Sequence, residues 1–274
     1  MQRKHEPVGS NNDNSHGFMR RVAASAEELR QQFAKEGFNI LLVSRSLDKL
    51  KTTQQELQNT YKNIDVHYIQ FDFNEKTALE DYQNAFGKLT ETFDISIVVN
   101  NVGTYEEGYF ARVKLEDHMK LINVNVVPQT ILTKLFSVYL SGRKKRSAVI
   151  DISSFTSIMP LPIFSIYAAT KSFSYYLSRA LAEEYKNYNI DFLAVRLLFA
   201  ATKLSKKKAN GWAVITADQS VEGVLNDFGY ENETFGHWVH KVQAFLFSLV
   251  PKCLIYPAMR IVFRMNRKPK IKDQ

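Results

Sequence analysis

The 274-residue sequence predicts an α/β fold, a doubly wound parallel sheet with helices on both faces. Two observations carry this. Short apolar runs, "NILLV", "ISIVV", "SAVIDIS" and "IDFLAVRLL", recur along the chain, and unbroken runs of this length suit strands buried on both faces. Stretches of helical periodicity separate them, and regular β-α alternation implies parallel strands with crossover helices. Right-handed crossovers wind such a sheet both ways, and ligands then bind beyond the carboxyl ends of its strands.

The elements follow in order. Residues 1–22 are polar, and "SNNDNSHG" is rich in turn and disorder formers. A helix is expected from Ala23 to Glu36, closed by Gly37 as a C-cap. "NILLV" is a strand ending at Ser44-Arg45. Ser46 is an N-cap candidate for a helix to Tyr61. "DVHYIQF" is a strand leading to Asp72, residues 75–90 are a helix, and "ISIVV" runs into "NNVG". A long helix covers 115–140, "SAVIDIS" is a strand, 165–187 is a helix and "IDFLAVRLL" a strand. No repeat or linker divides the core, so 23–235 reads as one domain. Beyond about 205 the pattern weakens: "KKKANG" is a loop and "SVEGVLNDFGY" a helix. Residues 236–274 form an apolar and basic helical extension.

Charge and cysteine content narrow the setting. The one cysteine, Cys253, excludes an internal disulfide and points to a reducing compartment. Net charge is +8. Arg260, Arg264, Arg267, Lys268, Lys270 and Lys272 crowd the end of the chain, behind "VQAFLFSLVPKCLIYPAMRIVF". Basic residues beside an apolar segment fit an anionic membrane surface better than a nucleic-acid groove; the plainer alternative is a solvated tail. Pro251, Lys252, Pro257 and Arg260 interrupt any spanning helix, which needs roughly 20 mostly apolar residues. Met1 to Ala23 shows no apolar signal-peptide core.

The candidate chemistry centres on Tyr167-Ala-Ala-Thr-Lys171. Positions i and i+4 share a helix face, and an ammonium there would lower a tyrosine's pKa. That suits a tyrosine giving a proton to a carbonyl oxygen. Alone the pair is weak, because tyrosines and lysines are common here and a surface pair is the plain alternative. Context adds Ser154, at the carboxyl end of "SAVIDIS", where its hydroxyl would face the ligand crevice. Asn125, in "INVNVV", sits mid-helix against its propensity. Asn100, Asn101 and Gly103, in "NNVG", follow a buried strand.

Together, and in this order, these features resemble the short-chain dehydrogenase/reductase family over about residues 24–235, which implies a Rossmann-like sheet. "NNVG", "INVNVV", "AATK", "GHWVH" and the apolar-basic tail resemble one branch. It holds the endoplasmic-reticulum very-long-chain 3-oxoacyl-CoA reductases, 17-beta-hydroxysteroid dehydrogenases and hydroxysteroid dehydrogenase-like proteins. The resemblance implies Tyr167 as general acid. It implies Lys171 as the group that tunes Tyr167 and holds the nicotinamide ribose, and Ser154 as the group that polarises the carbonyl. Asn125 would hold a water linked to Lys171. Asn100, Asn101 and Gly103 would line the adenosine side, Asp72 would meet the adenine, and Thr202 would reach the nicotinamide amide. Arg45 has its own argument. An acid at the end of the second strand would bind the 2′-hydroxyl of NAD, whereas Arg45 suits a 2′-phosphate. NADPH is therefore the expected cofactor and reduction the expected direction; a solvated arginine is the alternative.

The sequence departs from the family at its front. The family opens with a central strand and Thr-Gly-x-x-x-Gly-x-Gly, whose glycines admit the pyrophosphate. Here "MRRVAASA" stands in that place, without a glycine or an apolar strand before it. The first strand and the loop are thus expected to be missing. Two explanations stay open: an incomplete or misread N-terminus of a working enzyme, or an inactive member acting as a membrane-associated binding protein. The retained Ser154, Tyr167, Lys171 and Asn125 favour the first. A proline usual in the family near Leu197 is also missing.

The expected substrate is an apolar ketone, a long-chain 3-oxoacyl-CoA or a ketosteroid. Lys270 and Lys272 resemble a dilysine retrieval signal, which points to the cytosolic face of the endoplasmic-reticulum membrane. Family members pair through the helices at 115–140 and 165–187, so a homodimer is expected. His237 and His240 lack further ligand candidates, and no metal is expected.

Overall fold

The structure, a computed structural model, describes residues 16–20, 24–198, 200–201, 214–251 and 253–257. Its centre is a seven-stranded parallel sheet. The strands are β1 (His16–Arg20), β2 (Asn39–Ser44), β3 (Val66–Gln70), β4 (Ile95–Asn100), β5 (Ser147–Ile152), β6 (Ile190–Val195) and, after a separate pair, β9 (Glu233–Thr234). Their order is β3-β2-β1-β4-β5-β6-β9, which reverses direction at β1. The small pair is β7 (Ala200–Ala201) with β8 (Ile215–Thr216).

The central strand is present, and this corrects the sequence expectation. "HGFMR" fills the slot between β2 and β4, parallel to both, with His16 opposite Asn39 and Arg20 opposite Val43. The physical reason lies in its neighbours. β2 and β4 are almost wholly buried, and without a strand between them their inner edges would leave buried backbone groups unpaired, at about 1–3 kcal/mol each. The sheet therefore recruits a segment of weak intrinsic strand preference. β1 ends at Arg20 and α1 (Ala24–Lys35) begins four residues later; the junction itself lies outside the described residues.

Alternation along each strand builds two cores. In β2, Ile40 and Leu42 join Leu29 and Phe33 of α1, Leu50 and Leu57 of α2 (Leu47–Thr60), and Val221 and Val224 of α8 (Ala217–Asp227). Leu41 and Val43 face the other way, towards Tyr82 and Phe86 of α3 (Leu79–Phe86) and Phe136 and Leu140 of α6 (Val127–Ser141). A short α4 (Leu89–Thr92) follows α3, so the expected helix over 75–90 is two pieces. Gly37 closes α1 at φ +85°, a left-handed C-cap that glycine adopts readily.

The expected helix over 115–140 is also two, α5 (Leu115–Asn125) and α6, with Val126 between them at φ −109° and ψ −57°. Pro128 has no N–H to continue the ladder, so the break falls here. Asn125 is thus a helix terminus, not a mid-helix residue. The span Leu115–Ser141 is long and apolar enough to cross a membrane, but its apolar face, including Leu121, Leu132 and Phe136, is buried.

α7 (Ser165–Glu184) lies against β5 and β6. α9 (Trp238–Leu249) packs onto the domain through Val239, His240 and Ala244. Its outer side leaves Trp238, Val242, Phe245, Leu246 and Leu249 exposed. The basic tail, "KKKANG", Trp212 and Thr202 lie outside the described residues.

Candidate active site

Parallel strands deliver their last residues to one edge, and Ser154, Tyr167 and Lys171 stand there. Ser154 follows β5 and caps the 3-10 turn Phe155–Ile158, its hydroxyl accepting from the Thr156 N–H at 3.2 Å. Tyr167 and Lys171 stand on the first two turns of α7. The Ser154 side chain lies close enough to the Tyr167 hydroxyl to help hold its pKa down. Lys171 is buried, and its Nζ donates to the Ile152 carbonyl at 2.8 Å. The Ser153 hydroxyl donates to the Lys171 carbonyl at 2.6 Å, fixing α7 to the end of β5.

The tyrosine's electrostatics differ from the sequence expectation. Burial pushes the Tyr167 hydroxyl above its ordinary pKa, Ser154 draws it back and Tyr105 pushes it further up. The lysine, whose ammonium is turned to Ile152, does not set the direction. Lys171 itself is lowered to about 8, by burial first and against the pull of Asp151. Tyr167 is therefore a neutral O–H donor near pH 7.

Asn125 acts as a clamp. Its Oδ1 accepts from the Thr104 N–H at 2.8 Å, while its Nδ2 donates to the Thr104 carbonyl at 2.9 Å and to Thr170 Oγ1 at 3.0 Å. It ties the end of α5 to the loop after β4 and to α7. Gly103 lies within that clamp. A Cβ there would come 3.3 Å from Lys171 Nζ and 3.5 Å from Asn125 Oδ1. Glycine leaves this space to the ammonium.

The Asn100 side chain turns away from the crevice. Its Nδ2 donates inward to Thr133 Oγ1 at 2.9 Å and to Asp151 Oδ1 at 2.8 Å. Asn101 is buried beside it. Arg45 is exposed just past β2, and its carbonyl accepts from Gln70 Nε2 at 3.0 Å. Asp72, past β3, accepts from the Asn74 N–H at 2.9 Å. Arg45 and Asp72 therefore stand beyond neighbouring strands, on the β2–β3 side of β1.

Several residues escaped the sequence reading. Tyr105 and Phe164 place their rings 6.4 Å and 6.5 Å from that of Tyr167, forming an aromatic wall. Ile163 has φ +64°, a strained conformation for a β-branched residue. Its carbonyl accepts from the Gly108 N–H at 2.8 Å, which pins the loop after β4 beside α7. Asp151 was visible as an acid inside the apolar run "SAVIDIS", a position where a charge calls for a partner.

The donor set suits a nicotinamide dinucleotide on the ribose side. An ammonium has three N–H bonds, Lys171 gives one to Ile152, and Gly103 keeps backbone, not side chain, beside it. His237 caps α9, its Nδ1 accepting from the Val239 N–H at 3.3 Å. Among the described residues, no group of three metal-ligating side chains converges.

A parallel sheet reversing at its central strand, with serine, tyrosine and lysine at its carboxyl edge, defines a dinucleotide-dependent oxidoreductase. A family model described as short chain dehydrogenase matches residues 26–212, and the chain belongs to that family. It is similar to the very-long-chain 3-oxoacyl-CoA reductase of Macaca fascicularis, 31% identical over 247 residues, 88% of this chain and 76% of that protein. The Rattus norvegicus protein of that name is 32% identical over 232 residues, 82% and 72% of the two chains. Among solved structures, a 7beta-hydroxysteroid dehydrogenase superposes with a TM-score of 0.75 at 21% identity, covering 89% of this chain and 95% of that one. A Sphingobium yanoikuyae short-chain dehydrogenase in complex with NADPH gives 0.72 at 22% identity, covering 87% and 97%. These last two show the shared fold.

Proposed function

We propose that the chain is an NADPH-dependent carbonyl reductase acting on an apolar ketone, with Tyr167 as proton donor. The observation that carries this is the meeting of Tyr167, Ser154 and buried Lys171 at the carboxyl end of β5. A bound nicotinamide supplies the hydride. Tyr167, kept neutral by burial, gives its proton to the ketone oxygen. Ser154, beside Tyr167, orients that oxygen and polarises the carbonyl. Lys171 holds the ribose with its remaining N–H bonds, and Asn125 keeps Thr104 and Gly103 in place around it. Arg45 takes the 2′-phosphate, which favours NADPH over NADH. Asp72 meets the adenine, Asn101 and Gly103 border the adenosine side, and Thr202 reaches the nicotinamide amide.

The aromatic wall of Tyr105 and Phe164 supports an apolar substrate. Relatives named very-long-chain 3-oxoacyl-CoA reductase support a long-chain 3-oxoacyl-CoA first, and the net charge of +8 suits its phosphates. A 3- or 17-ketosteroid is the other substrate of the class. The exposed apolar side of α9, continued in sequence by the basic tail, supports docking on an anionic membrane surface, with the cytosolic face of the endoplasmic reticulum as location. Exposed Met119, Val138 and Tyr176 on α5, α6 and α7 support a homodimer.

The test is a fluorescence titration of NADPH, with NADH as control, followed by NADPH oxidation with 3-oxoacyl-CoAs and ketosteroids. Tyr167→Phe is expected to lower kcat at least ~100-fold while NADPH affinity stays near that of the parent. Retained turnover removes Tyr167 from its role. No NADPH binding by the folded chain favours the non-catalytic binding protein.

A further inference from the structure

We propose that Arg196 is a positioning residue for Ser154, acting through the hydroxyl of Ser157. The proposal rests on the reading of Ser154 as the serine that polarises the ketone.

The chain at the end of β6 braces the end of β5. The Val195 carbonyl accepts from the Ser153 N–H at 2.8 Å, and the Leu197 carbonyl accepts from the Phe155 N–H at 2.9 Å. Arg196 lies between them, and its side chain supplies a further tie: Nε donates to Ser157 Oγ at 3.1 Å. Ser157 stands in the 3-10 turn that Ser154 caps. Its hydroxyl donates to the Ser154 carbonyl at 2.7 Å, and its N–H reaches the same oxygen at 3.0 Å. The donors fix the direction of this chain of bonds. A guanidinium only donates, and a serine hydroxyl has a single proton. With a lone pair facing Arg196, Ser157 keeps that proton on Ser154. A cationic donor also strengthens the bond beyond it.

Arg196 is itself firmly held. It is buried, and its guanidinium carbon stands 4.1 Å from the centre of the Tyr175 ring of α7 and 5.1 Å from that of Phe235, just past β9. Nη1 lies 3.7 Å from Glu233 Oε2 of β9, the oxygen that accepts from the Tyr175 hydroxyl at 2.7 Å. An arginine serving only Glu233 would turn its fork squarely onto that carboxylate. Here the ion pair is wider than a hydrogen bond, and the close donor goes to the serine. Ser154 is thereby fixed from its own carbonyl, and a small displacement of a group at a reacting centre costs rate steeply.

The experiment reads the Ser154 carbonyl in the full-length chain, free of cofactor. Labelling serine with 13C′ and phenylalanine with 15N selects the Ser154–Phe155 and Ser172–Phe173 peptide bonds, and Phe173→Leu tells them apart. Arg196→Met keeps the length of the side chain and removes the donor. Arg196→Met and Ser157→Ala are each expected to move the Ser154 resonance upfield, and Arg196→Met to add nothing in the Ser157→Ala background. An unmoved resonance in Arg196→Met, or a further shift in the double variant, overturns the proposal. In NADPH oxidation, Arg196→Met is expected to lower kcat about tenfold, with NADPH affinity near that of the parent. An unchanged kcat, or an equal loss in the Ser157→Ala background, overturns it as well. Should Arg196→Met not fold, the arginine is read in place. Its Nε–H proton resonance, assigned by loss in Arg196→Lys, is expected to move upfield in Ser157→Ala, and an unmoved one overturns the proposal. A parent that reduces no ketone, with the carbonyl shifts present, faults the reductase reading and leaves the tie from Arg196 to Ser154 intact.

Discussion

Gly103 shows how one missing methyl group can serve the site. Its absent Cβ would press on the Lys171 ammonium at 3.3 Å and lie in ordinary contact with Asn125 Oδ1 at 3.5 Å. The lysine end is flexible and can yield, so Gly103→Ala is expected to leave the thermal midpoint within a few degrees of the parent. The ammonium moves, however, and NADPH affinity is expected to fall about tenfold, the order of one charge-assisted hydrogen bond. Calorimetry of NADPH binding beside a thermal melt separates the two; unchanged affinity would remove Gly103 from the cofactor's neighbourhood. Tyr167, Lys171, Ser154 and Gly103 were legible because their spacing follows one helix and two strand ends. The inward turn of Asn100 was not, because it depends on Asp151 and Thr133, distant in sequence. The direction of the Tyr167 shift was also hidden: spacing reveals a neighbouring lysine but not the depth of burial.

Helices and strands carry their own tests. Gly223 of α8 lies against the backbone of Gly236, where an added Cβ would meet the Gly236 carbonyl oxygen at 1.8 Å. Backbone cannot step aside as a side chain does, so Gly223→Ala is expected to destabilise by about 2 kcal/mol or more. Urea unfolding reads this directly. α9 makes a contrasting case. Phe245 and Leu249 are 63% and 62% exposed, so Phe245→Glu with Leu249→Glu is expected to leave stability within about 0.5 kcal/mol and to abolish flotation with phosphatidylserine-containing vesicles. Unchanged flotation would move the membrane contact elsewhere. The apolar runs of β2, β4, β5 and β6 announced themselves, since burial on both faces writes a continuous hydrophobic pattern. β1 did not, because "HGFMR" is held by its neighbours' edges and not by its own composition. The two-residue β9 is too short to leave a pattern, and the break at Val126 required reading Pro128 as a terminus of one helix inside a longer apolar stretch.

For the molecule as a whole, buried Asp151 and buried Lys171 predict how stability varies with pH. Asp151 is raised from 3.8 to about 6, so the folded state holds a proton that the unfolded state releases. Its stabilising contribution is present below pH 3.8 and is lost as pH rises to about 6. Lys171 is lowered from 10.5 to about 8. Its contribution is present above pH 10.5 and is lost as pH falls to about 8. Between about 6 and 8 both charges are buried and both penalties apply. Relative to Asp151→Asn/Lys171→Met, the parent is therefore expected to be least stable in that interval. It gains on the order of 1–3 kcal/mol on either side. Urea midpoints of both proteins from pH 4 to 10 test this, and a flat difference would mean that the two groups are not both charged in that interval.

The ring of Phe247, on the inner side of α9, meets that of Phe155 at 5.1 Å, one residue from Ser154. Were the outer side of the same helix to rest on a bilayer, the reacting edge of the sheet would lie a single helix thickness from the acyl chains. The lipid would then act as the reservoir. A ketone's supply would be governed by how strongly it partitions into the leaflet and how quickly it diffuses in two dimensions, and not by its concentration in bulk water.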